Sequence, residues 1–229
     1  MRGDWRKEVF ARLVEAKDND ELFAIVDQQA RALGFEYSAF GLRDAATNNE
    51  SWLTSKPREW VQRYRAKNYF AADPVMAHLR TSESPLVWDS RQFSEQRDYW
   101  DDAESQGLRY GWSMTAWGLA SMSASFCFAR STTPISQVEL DQIEPHLIWL
   151  AHTACAAATY RSMADPGLTP RELQVLRWTA AGKTAHQIAT LLHISERTAN
   201  FHVTELMRKL GAVNKTQASV KAAILGLLN

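Results

Sequence analysis

Residues 184–204 read TAHQIATLLHISERTANFHVT, and this stretch predicts two helices joined by a tight turn at residues 192–195. Thr184 and Gln187 have the spacing of a capping box, in which each side chain accepts a hydrogen bond from the other's backbone N–H. Ser195 is an N-cap residue for the second helix. Apolar residues recur at helical spacing on both sides of the turn, at Ile188, Ala189, Leu191 and Leu192 and then at Ala199, Val203, Leu206 and Leu210. The pattern therefore favours a helix-turn-helix.

The helices that flank this pair have start and stop signals of their own. Residues 169–172 read TPRE, a capping box with proline at the first helical position, and Gly182 predicts the left-handed end of that helix. The last helix is expected from about Asn214, after Gly211, with apolar residues at Ala218, Ala222, Leu225 and Leu228. Residues 168–229 are therefore predicted to form an all-α domain of four helices.

Charge divides the chain into two unlike parts. Residues 166–229 contain eight Lys or Arg and three Asp or Glu, whereas the whole chain contains 26 of each kind. Residues 1–165 are left with 18 basic and 23 acidic side chains, a net charge of −5, whereas residues 166–229 carry a net charge of +5. Only the C-terminal part is suited to phosphate. A helical bundle with a solvated basic face is the alternative, but it does not explain why capped helices and outward basic residues coincide.

The second helix of the pair has an outward face suited to reading bases. With its apolar residues turned inward, the side chains that project outward are Arg197, Asn200, Phe201, Thr204 and Arg208. Arg can bind guanine bidentately, Asn can bind adenine, and Thr or Phe can contact a thymine methyl group. Lys183 and Thr184 at the preceding helix start are better placed for phosphates, as are Lys209 and Lys215. We therefore expect double-stranded DNA as a partner.

This part of the chain resembles the C-terminal DNA-binding domain of LuxR-type transcription regulators. The matching segments are residues 168–172, 175–176, 181–183, 188–189, 194–198, 202, 209–211 and 214–218. The resemblance implies that the third helix of the domain reads DNA and that the fourth helps to form a dimer. A homodimer would bind a two-fold symmetric operator.

Residues 1–162 are predicted to be an α+β domain, joined to the C-terminal domain by a linker at 163–167 that contains Pro-Gly. Periodicity predicts helices at 4–16, 19–33, 58–67, 73–80, 95–105 and 136–161, and strands at 36–43, 50–55, 85–88, 111–117 and 122–130. Helices that flank a mostly antiparallel sheet make an α/β/α sandwich. A phosphorylated receiver domain is excluded, because strands and helices do not alternate and the first strand is followed by only one acidic residue, Asp44.

Composition favours a globular protein of the cytoplasm. Hydrophobic residues make up 45% of the chain, yet no apolar run approaches the roughly 18 residues needed to span a bilayer. The first residues lead into an amphipathic helix rather than a signal peptide. Cys127 and Cys155 are too few for a disulfide framework, which favours a reducing compartment. Neither a metal, a cofactor nor a membrane is expected as a partner.

Aromatic residues are concentrated in the N-terminal part, where eight of the nine tryptophans lie within residues 1–165. Tryptophans can wall an apolar cavity and still donate a hydrogen bond to a ligand. Trp60 and Tyr64 share a helix face at i,i+4, and Asp73 stands among apolar neighbours, where a carboxylate needs a partner. With Trp88 these residues are the candidate ligand site. The tryptophans on predicted amphipathic helices are interpreted as core residues: Trp5, Trp100 and Trp149.

The candidate set is similar in type and spacing to the autoinducer-binding domain of LuxR-type quorum-sensing receptors. The similarity spans about residues 19–160 and includes Phe35, Tyr37, Gly41, Tyr69, Pro74, Gly107, Leu108 and Gly111. It implies that the ligand is an N-acyl-homoserine lactone. By this resemblance Trp60 donates its indole N–H to the lactone carbonyl, and Asp73 accepts from the amide N–H. Tyr64 would flank the acyl chain, and Trp88 would pack against the lactone ring.

Four residues depart from that family's pattern. Lys56 replaces a tyrosine, Cys127 replaces a Ser or Thr, Thr115 replaces a proline and Val75 replaces a threonine. Lys56 and Cys127 are still assigned to the ligand site, with the Lys56 ammonium expected to extend from the pocket edge into solvent. The departures leave open a different ligand, activity without any ligand, and a pocket filled by its own side chains. Asp73 with His78 is the only pair of residues that suggests a catalytic site, so we do not expect the protein to be an enzyme.

The sequence therefore predicts a ligand-responsive transcription regulator that binds DNA as a homodimer. Two helices offer apolar stripes for the dimer interface. One is the long helix at 136–161, and the other is the last helix, through Ala218, Ala222 and Leu225.

Overall fold

The computed structural model describes residues 5–45, 49–92, 96–118, 122–162 and 166–228. The chain forms two compact units, Met1–Thr159 and Tyr160–Asn229. Residues 163–165 of the predicted linker lie outside the described ranges, as do the predicted helix starts at Asp4 and Glu95. No helix within the described ranges is both long and apolar enough to cross a membrane.

The N-terminal part contains every helix and strand that the sequence predicts, with ends that differ by one or two residues. The helices are α1 (Trp5–Glu15), α2 (Asn19–Ala32), α3 (Arg58–Ala66), α4 (Pro74–Thr81), α5 (Arg97–Ser105) and α6 (Gln137–Ser162). The strands are β1 (Tyr37–Asp44), β2 (Asn49–Thr54), β3 (Leu86–Asp89), β4 (Tyr110–Trp117) and β5 (Met122–Arg130). Short 3-10 turns lie at Tyr69–Ala71 and Ser90–Gln92.

The five strands form one antiparallel sheet in the order β2-β1-β5-β4-β3. Because successive side chains of a strand point to opposite faces, the large residues collect on one side. There Phe40, Trp112, Phe126 and Phe128 are fully buried against α1, α2 and α6. This arrangement confirms the α/β/α sandwich.

The other face of the sheet is covered by α3, α4 and α5, and the central residues that β1 and β5 present on it are small. Strand register arranges these residues in rows. Ala39 of β1 pairs with Thr54 and Cys127 in one row, and in the next row Gly41 pairs with Trp52 and Ser125. Small side chains on this face leave space between the sheet and the helices above it.

The C-terminal unit contains the four predicted helices, α7 (Pro170–Ala180), α8 (Ala185–Leu192), α9 (Glu196–Lys209) and α10 (Lys215–Ile224). Both capping boxes are formed, at the starts of α7 and α8, and Ser195 and Asn214 cap α9 and α10. Gly182 and Gly211 have positive φ angles of 77° and 57°, as their positions after helix ends require. The helix-turn-helix prediction is therefore confirmed.

Candidate functional site

A cavity of about 370 Å³ lies between the sheet and helices α3 to α5. All six residues predicted for the ligand site line it: Lys56, Trp60, Tyr64, Asp73, Trp88 and Cys127. Much of the remaining lining is apolar or aromatic, including Trp52, Val61, Phe70, Met76, Trp100 and Leu108. A mostly apolar cavity with a few polar groups is typical of a small-molecule site. Its volume also contradicts the alternative of a pocket filled by its own side chains.

Asp73 is the most heavily bonded side chain of the cavity wall. It is the N-cap residue of α4, where Oδ1 accepts from the backbone N–H groups of Val75 at 2.8 Å and Met76 at 3.3 Å. Oδ2 accepts from the hydroxyls of Tyr64 and Tyr99, each at 2.9 Å. The carboxylate that sequence reasoning expected to need a partner therefore has four donors, and its position is fixed by three separate helices.

The two tyrosines remain hydrogen-bond donors because their environment opposes ionisation. Burial raises the pKa of both Tyr64 and Tyr99 far above the ordinary value, and the negative charge of Asp73 raises it further. Each hydroxyl therefore keeps its proton and directs it towards the Asp73 carboxylate. Both carboxylate oxygens of Asp73 already accept hydrogen bonds, so a ligand N–H would be an additional donor to one of them.

Trp60 is 2% exposed and lies among aromatic rings. Its ring centroid is 5.6 Å from that of Tyr64, 5.7 Å from that of Tyr99 and 6.1 Å from that of Tyr69. Within the described part of the chain, its indole N–H has no hydrogen-bond acceptor. A cavity-lining tryptophan in this state can donate to a ligand oxygen.

The Trp88 ring packs directly over Gly111, in the space that a Cβ atom would fill. The two residues are paired across β3 and β4, so no side chain larger than hydrogen is compatible with this packing. The Trp88 indole N–H donates to Oγ of Ser113 at 3.0 Å. Trp88 therefore offers a ligand its ring face rather than a hydrogen bond.

Lys56 and Cys127 line the same cavity, and the lysine acts on the thiol. Burial raises the pKa of the Cys127 thiol, and the nearby Lys56 ammonium opposes that rise. The Lys56 side chain therefore brings its charge close to a buried thiol, and no acceptor for the ammonium is found in the described residues. The structure places Lys56 on the lining of the site to which the sequence assigns it, and the extension of its ammonium into solvent stays a prediction.

The roof of the cavity is held to its surroundings by a second carboxylate, Asp102 of α5. It accepts from Lys67 at 2.6 Å, from the Tyr69 hydroxyl at 2.5 Å and from Arg63 at 2.9 Å. The Lys67 and Tyr69 hydrogen bonds lower the pKa of Asp102 to about 2. These contacts tie α5 to α3 and to the turn that follows it. Tyr69 thus supports the site from outside the lining.

Sequence reasoning missed four aromatic residues of the lining. It does not identify Trp52, Phe70 and Tyr99, and it predicts Trp100 only as a core residue. Trp100 is indeed buried, at 2% exposure, but it also faces the cavity. Trp5 of α1 and Trp149 of α6 contact each other and pack, partly buried, against the core on the opposite side of the sheet.

The residues predicted to read DNA share the exposed side of α9: Arg197, Asn200, Phe201, Thr204 and Arg208. Phe201 is 60% exposed. Arg208 is paired with Glu205 at 3.0 Å on the same helix. Lys183 and Thr184 are exposed at the start of α8, where the Thr184 hydroxyl is the helix cap.

Two C-terminal predictions are changed by the structure. Lys209, grouped with the phosphate-binding residues, donates instead to Glu172 at 2.7 Å and to the Gly167 carbonyl at 2.9 Å. Ala218 and Ala222 are fully buried in their own unit, and Leu225 packs against the same core. The apolar stripe proposed for dimer contact is thus used internally. Val220, 51% exposed, is an apolar residue of α10 that remains open.

The pairing of Asp73 with His78, on which an enzyme would depend, is not formed in the described residues. Nε2 of His78 lies 2.7 Å from the Ser84 carbonyl oxygen, and Asp73 is occupied by its four donors.

A sensor unit with an internal cavity and a helix-turn-helix unit with an exposed basic helix together define a class, the ligand-responsive DNA-binding regulators.

Comparison with known proteins places the chain within that class. Residues 18–158 match the autoinducer binding domain, and residues 166–222 match the luxR family of bacterial regulatory proteins. The chain belongs to the LuxR family of quorum-sensing transcription regulators and is not an enzyme.

Relatives and solved structures support this membership along the whole chain. The transcriptional activator AnoR of Acinetobacter nosocomialis is 34% identical over 98% of this chain and 99% of its own. The crystal structure of Escherichia coli SdiA has a TM-score of 0.74 at 29% identity, covering 99% of this chain and 98% of that chain. CepR2 from Burkholderia cenocepacia, an N-acylhomoserine lactone dependent transcription factor, has a TM-score of 0.62 at 30% identity, covering 70% and 96%.

Proposed function

We propose that this chain binds an N-acyl-homoserine lactone in the cavity beneath α3 to α5 and, as a homodimer, binds a two-fold symmetric DNA operator. The observation that carries the ligand assignment is that one apolar cavity is lined by both a hydrogen-bond donor without an acceptor and a carboxylate held in a fixed position. Trp60 supplies the indole N–H, and Asp73 supplies the carboxylate. The lactone dependence of CepR2, a solved structure 30% identical to this chain, supports the same chemistry.

Each polar group of the ligand then has a counterpart on the lining. The Trp60 indole N–H donates to the lactone carbonyl, and Asp73 accepts from the amide N–H. Trp88 packs its ring face against the lactone ring, and Tyr64 flanks the acyl chain. The Lys56 ammonium, with no acceptor in the described residues, donates to the amide carbonyl beside Cys127. A charged donor in an apolar cavity binds a carbonyl oxygen more strongly than a neutral hydroxyl does.

DNA recognition is assigned to α9. Arg197, Asn200, Phe201, Thr204 and Arg208 face the major groove, while Lys183 and Thr184 contact phosphates. Two copies of the helix-turn-helix would bind two half-sites related by a two-fold axis. This binding takes place in the cytoplasm, where the operator is accessible. Arg208 must exchange Glu205 for DNA when it binds.

Ligand and DNA binding are coupled through stability of the folded sensor. A ligand that binds the folded state alone raises its stability by about 2.7 kcal/mol at a hundredfold excess over Kd. A lactone buried in the cavity therefore increases the population of folded chain that can form a dimer on DNA.

The direct test is to purify the full chain from cells fed a panel of N-acyl-homoserine lactones and to identify retained molecules by mass spectrometry. We expect one lactone, or a narrow range of acyl lengths, at about one molecule per chain. Retention of an unrelated molecule would replace the lactone by another ligand. Operator binding by a chain that retains nothing would identify a regulator that works without a ligand.

A further inference from the structure

A second, smaller cavity of about 30 Å³ lies beside the ligand cavity. The two cavities share two lining residues, Trp52 of β2 and Met76 of α4. A residue that lines both cavities is part of the wall between them. Trp52 and Met76 are therefore a partition, contributed by an edge strand on one side and a helix on the other.

The floor of the sheet continues without interruption beneath this partition. Ala39 and Cys127, a register pair, line the ligand cavity, and the next pair on the same face, Gly41 and Ser125, lines the second cavity. All four side chains are small, so the backbone floor itself does not end the ligand cavity. It ends because the Trp52 ring covers Gly41, where a Cβ atom would lie only 2.6 Å from the ring.

A hydrogen bond to an exposed residue helps to hold the Trp52 ring in this position. Its indole N–H donates to Oε1 of Glu50 at 2.7 Å, and Glu50 is an exposed residue two positions away on β2. On the helix side, Met76 is 6% exposed and presents a flexible thioether. Trp52 itself is half-buried, so the partition can be altered without opening the main core of the unit.

The chemistry of the walls changes across the partition. On the far side the cavity is lined by the hydroxyls of Thr115, Ser123 and Ser125 and by Arg43, Glu50 and Arg80. An alkyl chain that passed the partition would desolvate these polar groups without offering them a hydrogen bond, which is costly. Ring and polarity therefore both stop an alkyl chain at Trp52.

The two ends of the ligand cavity are built alike. At one end the Trp88 ring covers Gly111, and at the other the Trp52 ring covers Gly41. The proposed function places the lactone ring at Trp88, so the acyl chain points along the floor towards Trp52. We propose that Trp52 and Met76 form the closed end of the ligand cavity and set the longest acyl chain it accepts. This specificity role rests on the proposed lactone function.

The experiment measures affinity of the full-length chain for N-acyl-homoserine lactones lengthened two carbons at a time. For wild type, affinity rises about fourfold per added methylene until the chain reaches Trp52, and then falls. In Trp52→Ala the optimum moves to a chain longer by about two carbons, which occupy the space of the lost ring. Its affinity is roughly fifteenfold above that of wild type for its own best ligand. Trp52→Phe, which keeps part of the ring, gives an intermediate optimum.

Leu53→Ala is the matched control, because Leu53 is the next residue of β2 and packs on the opposite core. It should lower stability and leave the optimum unchanged. If Trp52→Ala does not fold, Met76→Ala opens the partition from the helix side and carries the same expectation. An optimum that stays fixed in the folded variants, or that moves equally in Leu53→Ala, overturns the partition. A wild type that binds no lactone of any length overturns the proposed function instead.

Discussion

The Tyr99 hydroxyl donates a 2.9 Å hydrogen bond to Oδ2 of Asp73 and so joins α5 to the N-terminus of α4 through a carboxylate on the cavity wall. The same oxygen accepts from Tyr64 of α3. One carboxylate thus links the three helices that cover the cavity. A ligand group that bonds Asp73 acts on the junction of all three.

We expect Asp73→Asn to abolish most of the lactone-induced rise in melting temperature and to lower stability without ligand by about 1–3 kcal/mol. The charged acceptor for two hydroxyls and the α4 cap is lost, and buried donors are left with weaker partners. Tyr99→Phe is the control, since it removes one donor and keeps the carboxylate. It should cost stability while the ligand-induced shift remains. A full shift in Asp73→Asn would remove Asp73 from ligand binding.

Trp60→Phe should weaken lactone affinity by about tenfold, less than Asp73→Asn does, because it keeps an aromatic ring and deletes only the N–H donor. Calorimetric titration of the purified chain measures the change. Trp149→Phe, in the core on the other side of the sheet, is expected to leave affinity unchanged. Equal affinities for Trp60→Phe and wild type would show that the indole N–H does not contact the ligand.

In the DNA-binding unit, Arg197→Ala and Asn200→Ala should each cost about 1–3 kcal/mol on a specific operator and little on scrambled DNA. Lys183→Ala should weaken binding to both sequences and reduce the salt slope by about 1. Titrations at several salt concentrations separate the two effects. Sequence preference that survives Arg197→Ala would mean that another face of α9 reads the bases.

The Glu172–Lys209 ion pair should make the C-terminal unit sensitive to acid. Burial alone would raise the pKa of Glu172, but hydrogen bonds from Lys209 and Thr169 bring it below its ordinary value of 4.5. A carboxylate with a lowered pKa stabilises the fold above its unfolded pKa, and this stability is lost as pH falls through the folded value. The protection factors of α7 and α9 against hydrogen exchange should therefore fall below about pH 4.5.

Lys209→Met is the variant that tests the ion pair. It leaves a buried carboxylate without its cation, so the unit should lose about 3 kcal/mol at neutral pH. Its protection factors against hydrogen exchange should also change less with acid than those of wild type. The same acid response in Lys209→Met and wild type would assign the response to other groups.

Val220, an exposed apolar residue of α10, offers a test of the dimer. Val220→Glu should lower DNA affinity and shift the chain towards monomer without loss of helix, because Val220 lies outside its own core. Val138→Glu on α6, where Val138 is 71% exposed, tests the other predicted interface in the same way. Sedimentation of each variant gives the oligomeric state. A dimer unaffected by either change would exclude both residues from the interface.

Local signals in the sequence predicted much of this structure. N-caps such as Thr169 and Ser195 act within one helical turn, so the starts of the C-terminal helices could be located from a few residues. Alternation along the strands predicted the sheet, and the aromatic residues together with the family resemblance located six residues of the cavity lining. The contact between Tyr99 and Asp73 could not be predicted in this way, because it joins residues 26 positions apart on different helices.

Trp52 illustrates the same limit. Its place in a strand follows from alternation, but its position over Gly41 depends on strand pairing that only the folded chain specifies. The use of Ala218 and Ala222 within their own unit is a further case, since an apolar stripe does not reveal which partner covers it.

The tryptophans that cover Gly41 and Gly111 make the length of the binding site a property of strand register. These glycines pair with Ser125 and Ala129 of the same strand, β5, four residues and therefore about 13 Å apart. Strand rise is nearly constant, so this spacing cannot stretch to fit a longer molecule. In related chains, changes in ligand length should therefore arise by exchanging an end residue, or by inserting residue pairs in the strands, rather than by gradual widening of the walls.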